Sequence, residues 1–193
     1  KTSPFLRPHY LSDTPDITTE EILTPQGIED AIAVLAAEIV SRCGDQHLAF
    51  VGVYTRGVTL ARRVADVLAA KGKNCSVGTL DISLYRDDFD NHGRDLPKLN
   101  SSNVPFELEG TRVILFDEVI FTGRTVRAAL DALADYGRPS KIELAVLIDR
   151  GHREIPVQPD YTGRKLETEL CQYVKVRFKE DDKKEGVFLV TEK

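Results

Sequence analysis

The sequence predicts an α/β fold: a mainly parallel sheet with helices packed against both of its faces. Strand-like apolar runs alternate with helical patterns between residues 24 and 148, and short turns join them. Such alternation is typical of parallel sheets covered by helices. Residues 48–54 (LAFVGVY) form an almost continuous apolar run, as expected of a strand that is buried on both faces.

The first helix is predicted from its boundaries and from its apolar period. Thr24 is suited to the N-cap, Pro25 to the first helical position and Gly44 to the stop. The proline-containing residues 1–23 are expected to be an irregular N-terminal extension to one domain, residues 24–193. Apolar residues recur at helical spacing: Ile28, Ile32, Leu35, Ile39 and Val40.

The remaining elements follow from similar patterns. Residues 86–110 are polar, and a loop of that length inside a compact domain is usually functional or disordered. Two strand-like runs near the C-terminus suggest a small subdomain. The predicted helices are 58–71 and 124–136, and the predicted strands are 75–81, 112–116, 142–148, 173–178 and 187–191.

Composition excludes several classes of protein. The chain has 193 residues, 41% hydrophobic and 30% charged, which suits one globular domain with its own core. Three widely spaced cysteines argue against a disulfide framework or a zinc cluster, and favour a reduced cytoplasm. No apolar run approaches the roughly 20 residues of a membrane span, and we expect no membrane partner. The net charge of −5 disfavours a surface built entirely for nucleic acid, although a local basic patch remains compatible with it.

Residues 113–133 (VILFDEVIFTGRTVRAALDAL) carry the clearest chemical signal. An apolar strand places Asp117 and Glu118 at its carboxyl end, and residues 122–125 then begin a helix. The free N–H groups and the positive dipole end of a helix start bind phosphate, and carboxylates beside it can accept hydrogen bonds from sugar hydroxyls. Residues 122–125 by themselves favour a simple capped turn. Together with the strand and the acids they indicate a ribose-5-phosphate site.

This segment resembles the motif of type I phosphoribosyltransferases that binds 5-phosphoribosyl-1-pyrophosphate (PRPP). Residues 123–133 are similar to the pyrimidine-operon attenuator proteins that are also uracil phosphoribosyltransferases. Three further passages carry the same resemblance: 55–57 (TRG), 81–88 (DISLYRDD) and 149–154 (DRGHRE). The similarity runs in order from about Thr24 to the C-terminus. It implies the type I phosphoribosyltransferase fold, with a small hood and a mobile lid loop.

The resemblance also implies roles for residues of the site. Asp117 and Glu118 would hold the ribose hydroxyls, and Thr122, Gly123, Arg124 and Thr125 the 5-phosphate. Thr55, Arg56 and Gly57 would bind pyrophosphate, although a simple strand-to-helix turn is the alternative there. A turn of this kind can hold a cis peptide. The family usually has two aspartates where this chain has Asp117-Glu118, so we expect altered substrate affinity without loss of function.

Two further regions have assigned roles that rest on the resemblance. Residues 86–100 would form the lid, with Arg86 reaching pyrophosphate; a solvated acidic loop is the alternative. Asp149, Arg150 and Gly151 would lie near the base and the pyrophosphate, unless they form only a surface turn with salt bridges.

The resulting functional hypothesis is conversion of uracil and PRPP to UMP and pyrophosphate. Mg²⁺ would be held mainly through PRPP, with no direct protein ligand, and the enzyme would be a homodimer or homotetramer. Two alternatives stay open. The protein could be a bifunctional regulator that also binds pyrimidine-operon leader RNA, or a non-catalytic regulator that senses PRPP.

The hypothesis of RNA binding meets several departures from the RNA-binding members of the family. Where RNA-binding members of the family place Thr, Arg and His on the first helix, this chain has Ala33, Val34 and Ala37. Gln158 stands where a basic residue is expected. We therefore expect weak or absent specific RNA binding. The alternative interpretation is that Ala33, Val34 and Ala37 simply extend the buried stripe of the helix.

Overall fold

The computed structural model describes residues 17–44, 46–87 and 100–192, and it confirms the expected α/β fold. The described residues form two β-sheets and three α-helices. In chain order the elements are β1 (Ile17–Leu23), α1 (Pro25–Cys43), β2 (Leu48–Val53), α2 (Arg56–Ala69), β3 (Cys75–Leu80), a 3-10 turn (Ser83–Tyr85), β4 (Arg112–Ile120), α3 (Arg124–Ala134), β5 (Lys141–Asp149), β6 (Tyr161–Lys165), β7 (Gln172–Arg177) and β8 (Gly186–Glu192).

The larger sheet is fully parallel, with strand order β3-β2-β4-β5-β6. The chain moves outward from β2 to β3 and then returns to place β4 on the other side of β2. In open α/β sheets, ligands bind beyond the carboxyl ends of the strands at such a reversal. The loops that follow β2 and β4 are therefore brought together at one edge of the sheet.

Helices cover both faces of this sheet and create two hydrophobic clusters. Neighbouring residues of a strand point to opposite faces. Phe50 and Ile114 accordingly pack in one cluster with α1 and α2, whereas Val51 and Leu115 pack in the other with α3. β2 is buried along its whole length, which explains its almost continuous apolar sequence.

The smaller sheet is antiparallel, with order β1-β8-β7. β7 and β8 confirm the two strand-like runs predicted near the C-terminus, and Val176, Phe178 and Val187 join the cluster of α1 and α2. The structure differs from the prediction at residues 17–23, which were expected to be irregular and instead form β1. Residues 1–16 lie outside the described part of the chain.

Helix boundaries agree closely with the local signals. The Gly27 N–H donates to Thr24 Oγ1 at 3.2 Å, and Gly44, at φ +59°, caps the end of α1. α2 begins at Arg56, two residues before the predicted start, and β4 continues to Ile120. In the described residues, no helix combines the length and the apolar character that a bilayer span requires.

Candidate active site

A cavity of about 170 Å³ lies where β4 ends and α3 begins. Arg86, Asp117 and all four residues from Thr122 to Thr125 line it, together with Phe121. The sequence-based hypothesis assigned these six polar and glycine residues to one ligand, and the structure brings them together around one space. The arrangement follows from the short connection between β4 and α3.

The start of α3 faces this cavity. Gly123 adopts φ +95°, and a Cβ there would lie 2.6 Å from Val157 Cγ2, so this position requires glycine. The first N–H groups of a helix have no acceptor within the helix, and the helix dipole is positive at this end. Thr122 Oγ1 accepts a hydrogen bond from the Arg124 N–H at 3.4 Å. The α3 start can therefore bind an anion such as phosphate.

Asp117 is a buried acid that lines this cavity. Its side chain is 6% exposed, and its Oδ1 accepts the Glu118 N–H at 2.9 Å. Burial and then the neighbouring charge of Glu118 raise the pKa of Asp117 well above its usual range, while the charge of Arg86 opposes this increase. A ligand that supplies hydroxyl donors or a cation would stabilise the ionised form.

The turn after β2 lies directly against this acid. The Tyr54–Thr55 peptide is cis. Gly57 is buried, and a Cβ there would lie 2.4 Å from Phe116 O and 3.2 Å from the Cα of Asp117. Only glycine allows so close an approach of α2 to β4, so the predicted pyrophosphate turn and the acid pair are neighbours.

Arg56, the charged residue of this turn, makes a bidentate ion pair with Asp182. Its Nε donates to Oδ2 at 3.0 Å and its Nη2 to Oδ1 at 2.8 Å. The hydrogen bonds to Asp182 are the largest influence raising the pKa of Arg56, and the charge of Glu118 also contributes. Sequence reasoning missed Asp182, because nothing local connects the β7–β8 turn to residue 56.

Only the two ends of the predicted lid are described, since residues 88–99 lie outside the described part of the chain. Asp81 connects the 3-10 turn before the loop with the end of the loop: its Oδ1 accepts the Ser83 N–H at 2.8 Å, and its Oδ2 accepts the Asn100 N–H at 2.5 Å. Asp87 pairs with Arg124 and Arg127 of α3, each at 3.3 Å. The base of the loop is thus attached to the helix whose start faces the cavity.

The residues at the end of β5 and just after it lie beside this cavity but line a different one. Asp149, Arg150 and Gly151 face a neighbouring space of about 370 Å³. Asp149 Oδ1 accepts hydrogen bonds from the Gly151 N–H at 3.0 Å and from Arg153 Nη2 at 2.6 Å. These two contacts are those of a surface turn with a salt bridge, which is the alternative interpretation of this segment.

Arg150 links the two cavities through Phe121. Its guanidinium lies 4.0 Å from the centre of the Phe121 ring and donates to Thr168 Oγ1 at 3.1 Å and to the Glu169 carbonyl at 3.0 Å. The residue is 3% exposed, and burial lowers its pKa. Since Phe121 lines the cavity of Asp117, Arg150 helps to shape that cavity without lining it.

The surface considered for RNA has mixed charge. Ala33, Val34 and Ala37 are exposed, Val34 by 47%, so the interpretation that they extend the buried stripe of α1 is wrong. Gln158 lines an adjacent groove of about 310 Å³. The charged residues of the groove are balanced in number: Glu38, Asp149 and Asp160 against Arg42, Arg164 and Lys165.

Comparison with known proteins agrees with this architecture. The model of the phosphoribosyl transferase domain matches residues 18–183. The bifunctional protein PyrR 1 of Lactiplantibacillus plantarum is 46% identical over 172 residues, covering 86% of this chain and 94% of that protein. The bifunctional protein PyrR of Deinococcus radiodurans is 50% identical over 163 residues, covering 83% and 88% of the two chains.

Solved structures show the same fold at low sequence identity. A hypoxanthine phosphoribosyltransferase of Staphylococcus aureus superposes with a TM-score of 0.64 at 17% identity, covering 90% of this chain and 92% of that chain. A hypoxanthine-guanine phosphoribosyltransferase of Bacillus anthracis gives 0.65 at 12% identity, covering 89% and 97%. The chain therefore belongs to the phosphoribosyl transferase domain family and, within it, to the PyrR proteins.

Proposed function

We propose that this protein is a uracil phosphoribosyltransferase, which converts uracil and PRPP to UMP and pyrophosphate. The observation that carries the proposal is the single cavity at which Asp117 and the start of α3 meet. The choice of uracil rests on membership of the PyrR family and on the resemblance of residues 123–133 to attenuator proteins that are also uracil phosphoribosyltransferases.

In this proposal, PRPP lies across the ends of β2 and β4. Its 5-phosphate accepts hydrogen bonds from the first amides of α3 and from the hydroxyls of Thr122 and Thr125. The ribose hydroxyls donate to Asp117 and Glu118. Hydroxyl donors favour the ionised form of this buried acid, so PRPP binding and ionisation of Asp117 favour each other.

The pyrophosphate of PRPP lies toward the turn that follows β2. The first amides of α2 and the guanidinium of Arg56 would bind it from one side, and Arg86 from the other. Gly57 places these amides next to β4 because it lets the two backbones touch. The 5-phosphate and the pyrophosphate are thereby bound at the starts of two helices, with the acid pair between them.

The reaction needs no protein nucleophile. A ring nitrogen of uracil forms a bond to the anomeric carbon while the bond from that carbon to the pyrophosphate oxygen breaks. The proton of that nitrogen passes to pyrophosphate or water, and the ribose carries positive charge in the transition state. Asp117 and Glu118 lie beside the ribose and stabilise this charge. Binding of both substrates in a fixed orientation lowers the activation barrier further.

Mg²⁺ fits this site as a partner of PRPP. Carboxylate oxygens suit it, and it usually binds one or two carboxylates together with substrate phosphates and water. Among the described residues there is no group of three or more His, Cys, Asp or Glu that would hold a metal unaided. The ion would be held by the pyrophosphate, the ribose hydroxyls and water, without a direct protein ligand, and it would neutralise charge on the leaving pyrophosphate.

The proposal is tested with a panel of nucleobases, PRPP and Mg²⁺. We expect UMP and pyrophosphate from uracil, no nucleotide from cytosine, hypoxanthine or guanine, and loss of activity when EDTA removes the metal. Conversion of a purine without conversion of uracil would show that the base is wrong. PRPP binding without conversion of any base would favour the non-catalytic sensor.

Specific RNA binding is expected to be weak or absent, with catalysis retained. The exposed surface of α1 carries Ala33, Val34 and Ala37, and the groove beside it has equal numbers of acids and bases. Each phosphate contact that is missing removes about 0.9 from the salt slope of binding to a duplex. Titration of a pyrimidine-operon leader RNA against a scrambled RNA, at physiological salt and with UMP present, measures this. Nanomolar affinity confined to the leader would contradict the prediction and favour the bifunctional regulator.

We further propose a cytoplasmic homodimer or homotetramer. Light scattering of the purified full chain measures the oligomeric state directly.

A further inference from the structure

Four acids of the β7–β8 turn lie against α2, between Arg56 and Arg63. We call these residues the acidic clasp: Glu180, Asp181, Asp182 and Glu185. Asp182 pairs with Arg56, and the Thr59 hydroxyl donates to Asp181 at 2.7 Å. Arg63 pairs with Glu180 at 2.6 Å and with Glu185 at 2.5 Å.

The pair between Asp182 and Arg56 occupies only one edge of the guanidinium. The carboxylate accepts from Nε and Nη2. Among the described residues, Nη1 makes no hydrogen bond or ion pair. The Arg56 side chain is 30% exposed, so this second edge is open to a ligand. Glu118 is close enough for its charge to help raise the pKa of Arg56, which places the guanidinium near the acid pair.

We propose that Asp182 is a positioning residue that holds Arg56 ready for the pyrophosphate of PRPP. The inference rests on the proposed function and extends it to a residue outside the cavity. A long arginine side chain loses rotational freedom when it binds an anion, and a bidentate partner removes that freedom in advance. Preorganisation of this kind strengthens ligand binding.

The position of Asp182 is itself held by the fold. The N–H groups of Asp181 and Asp182 both donate to the carbonyl of Phe178, at 3.1 and 2.7 Å. Phe178 is fully buried, and the guanidinium of Arg63 lies 4.8 Å from the centre of its ring. Asp182 therefore stays in place when PRPP binds. Pyrophosphate need not displace it, because Nη1 of Arg56 is available.

The test is Asp182→Asn in the full chain, with PRPP affinity measured by calorimetry in the presence of Mg²⁺. Asparagine keeps the shape of the side chain but loses the charge that orients Arg56. We expect the Kd and KM for PRPP to rise about tenfold, because Arg56 must then lose its rotational freedom on binding, while the KM for uracil is unchanged. Asp182→Glu restores the charge and should recover part of the affinity.

Glu180→Gln is the matched control, because it makes the same change in the same clasp but at Arg63. It should leave the affinity for PRPP unchanged. If Asp182 acts through Arg56, then adding Asp182→Asn to Arg56→Lys should weaken PRPP binding little further, since the two effects are not additive.

Other results would overturn the inference in recognisable ways. Unchanged PRPP affinity in Asp182→Asn would mean that the pair serves only the fold. Tighter PRPP binding would mean that Asp182 competes with pyrophosphate, and an equal loss in Glu180→Gln would indicate general loosening of the clasp. If the wild-type protein itself neither binds PRPP nor forms UMP, the proposed function is wrong, and the role of Asp182 in PRPP binding is wrong with it.

Discussion

Replacement of Asp117 by asparagine is expected to lower kcat/KM for UMP formation about 10- to 100-fold and, at neutral pH, to stabilise the free protein. The loss of activity follows from the loss of a charged acceptor for a ribose hydroxyl, worth about 1.5–3 kcal/mol. The gain in stability has a separate cause. Burial and the neighbouring Glu118 make ionised Asp117 unfavourable in the folded protein.

The sign of the pH dependence follows from proton binding. The pKa of Asp117 is higher in the folded chain than in the unfolded chain. Between these two pKa values the folded state binds more protons, so its stability falls as the pH rises through that window and remains lowered above it. Asparagine has no proton to lose. The variant should therefore unfold at a higher temperature than the wild type at neutral pH, and the difference should shrink as the pH is lowered.

Steady-state kinetics and thermal unfolding at several pH values measure both effects. Asp131→Asn is the control, because Asp131 is exposed on α3 and its ion pair among the described residues is with Arg127, at 3.0 Å. It should alter neither quantity appreciably, as is usual for a surface ion pair. Wild-type activity in Asp117→Asn would remove Asp117 from the ribose site, and a lower unfolding temperature at neutral pH would contradict the electrostatic argument.

Glu143→Gln is expected to have the opposite consequences, with a loss of about 3 kcal/mol of folding stability and no change in PRPP affinity. Glu143 is 2% exposed in β5. Arg112 donates to it from Nε at 2.6 Å and from Nη2 at 2.9 Å, and Lys141 donates at 2.8 Å. Removing one charge of a buried pair leaves the other uncompensated. The low end of the usual range applies because Arg112 retains some contact with solvent.

The pH dependence of this group also has the opposite sign. Burial alone would raise the pKa of Glu143, but the hydrogen bonds from Arg112 and Lys141 outweigh burial and lower the pKa to about 2. Because the folded pKa lies below the unfolded one, the stabilisation is present above the ordinary pKa of a glutamate and is lost as the pH falls toward about 2. Glu143→Gln should remove this part of the acid sensitivity.

Urea unfolding at neutral and acidic pH, combined with PRPP calorimetry at neutral pH, measures both quantities. Glu107→Gln serves as the control, since Glu107 is exposed. A Glu143→Gln protein as stable as the wild type would show that the pair contributes no net stabilisation. Weakened PRPP binding would show that the two ends of the sheet are coupled.

Much of the fold and most of the cavity could be predicted from short stretches of sequence. The cap at Thr24, the apolar run of β2 and the strand–acid–helix order of residues 113–133 are local patterns. Asp117 and residues 122–125 meet in space because one short connection joins them, so their order along the chain determines their geometry. Their proximity therefore does not depend on contacts between distant segments of the chain.

The missed strands show where local patterns end. Five of the seven residues of β1 are exposed, and β6 (YTGRK) buries only Tyr161, so neither has the apolar run that identified β2. β1 is a strand because it pairs with β8, from the opposite end of the chain. Pairing between distant segments leaves little trace in the local sequence of an edge strand.

The sequence by itself determined the class of fold, the family and the residues at which α3 begins. Only the tertiary structure decided that Arg56 is paired with Asp182, that Ala33, Val34 and Ala37 face outward, and that the residues after β5 line a second cavity. The reason is physical. Helix caps and apolar periods act over a few residues, whereas ion pairs and exposure depend on which distant segments the folded chain brings together.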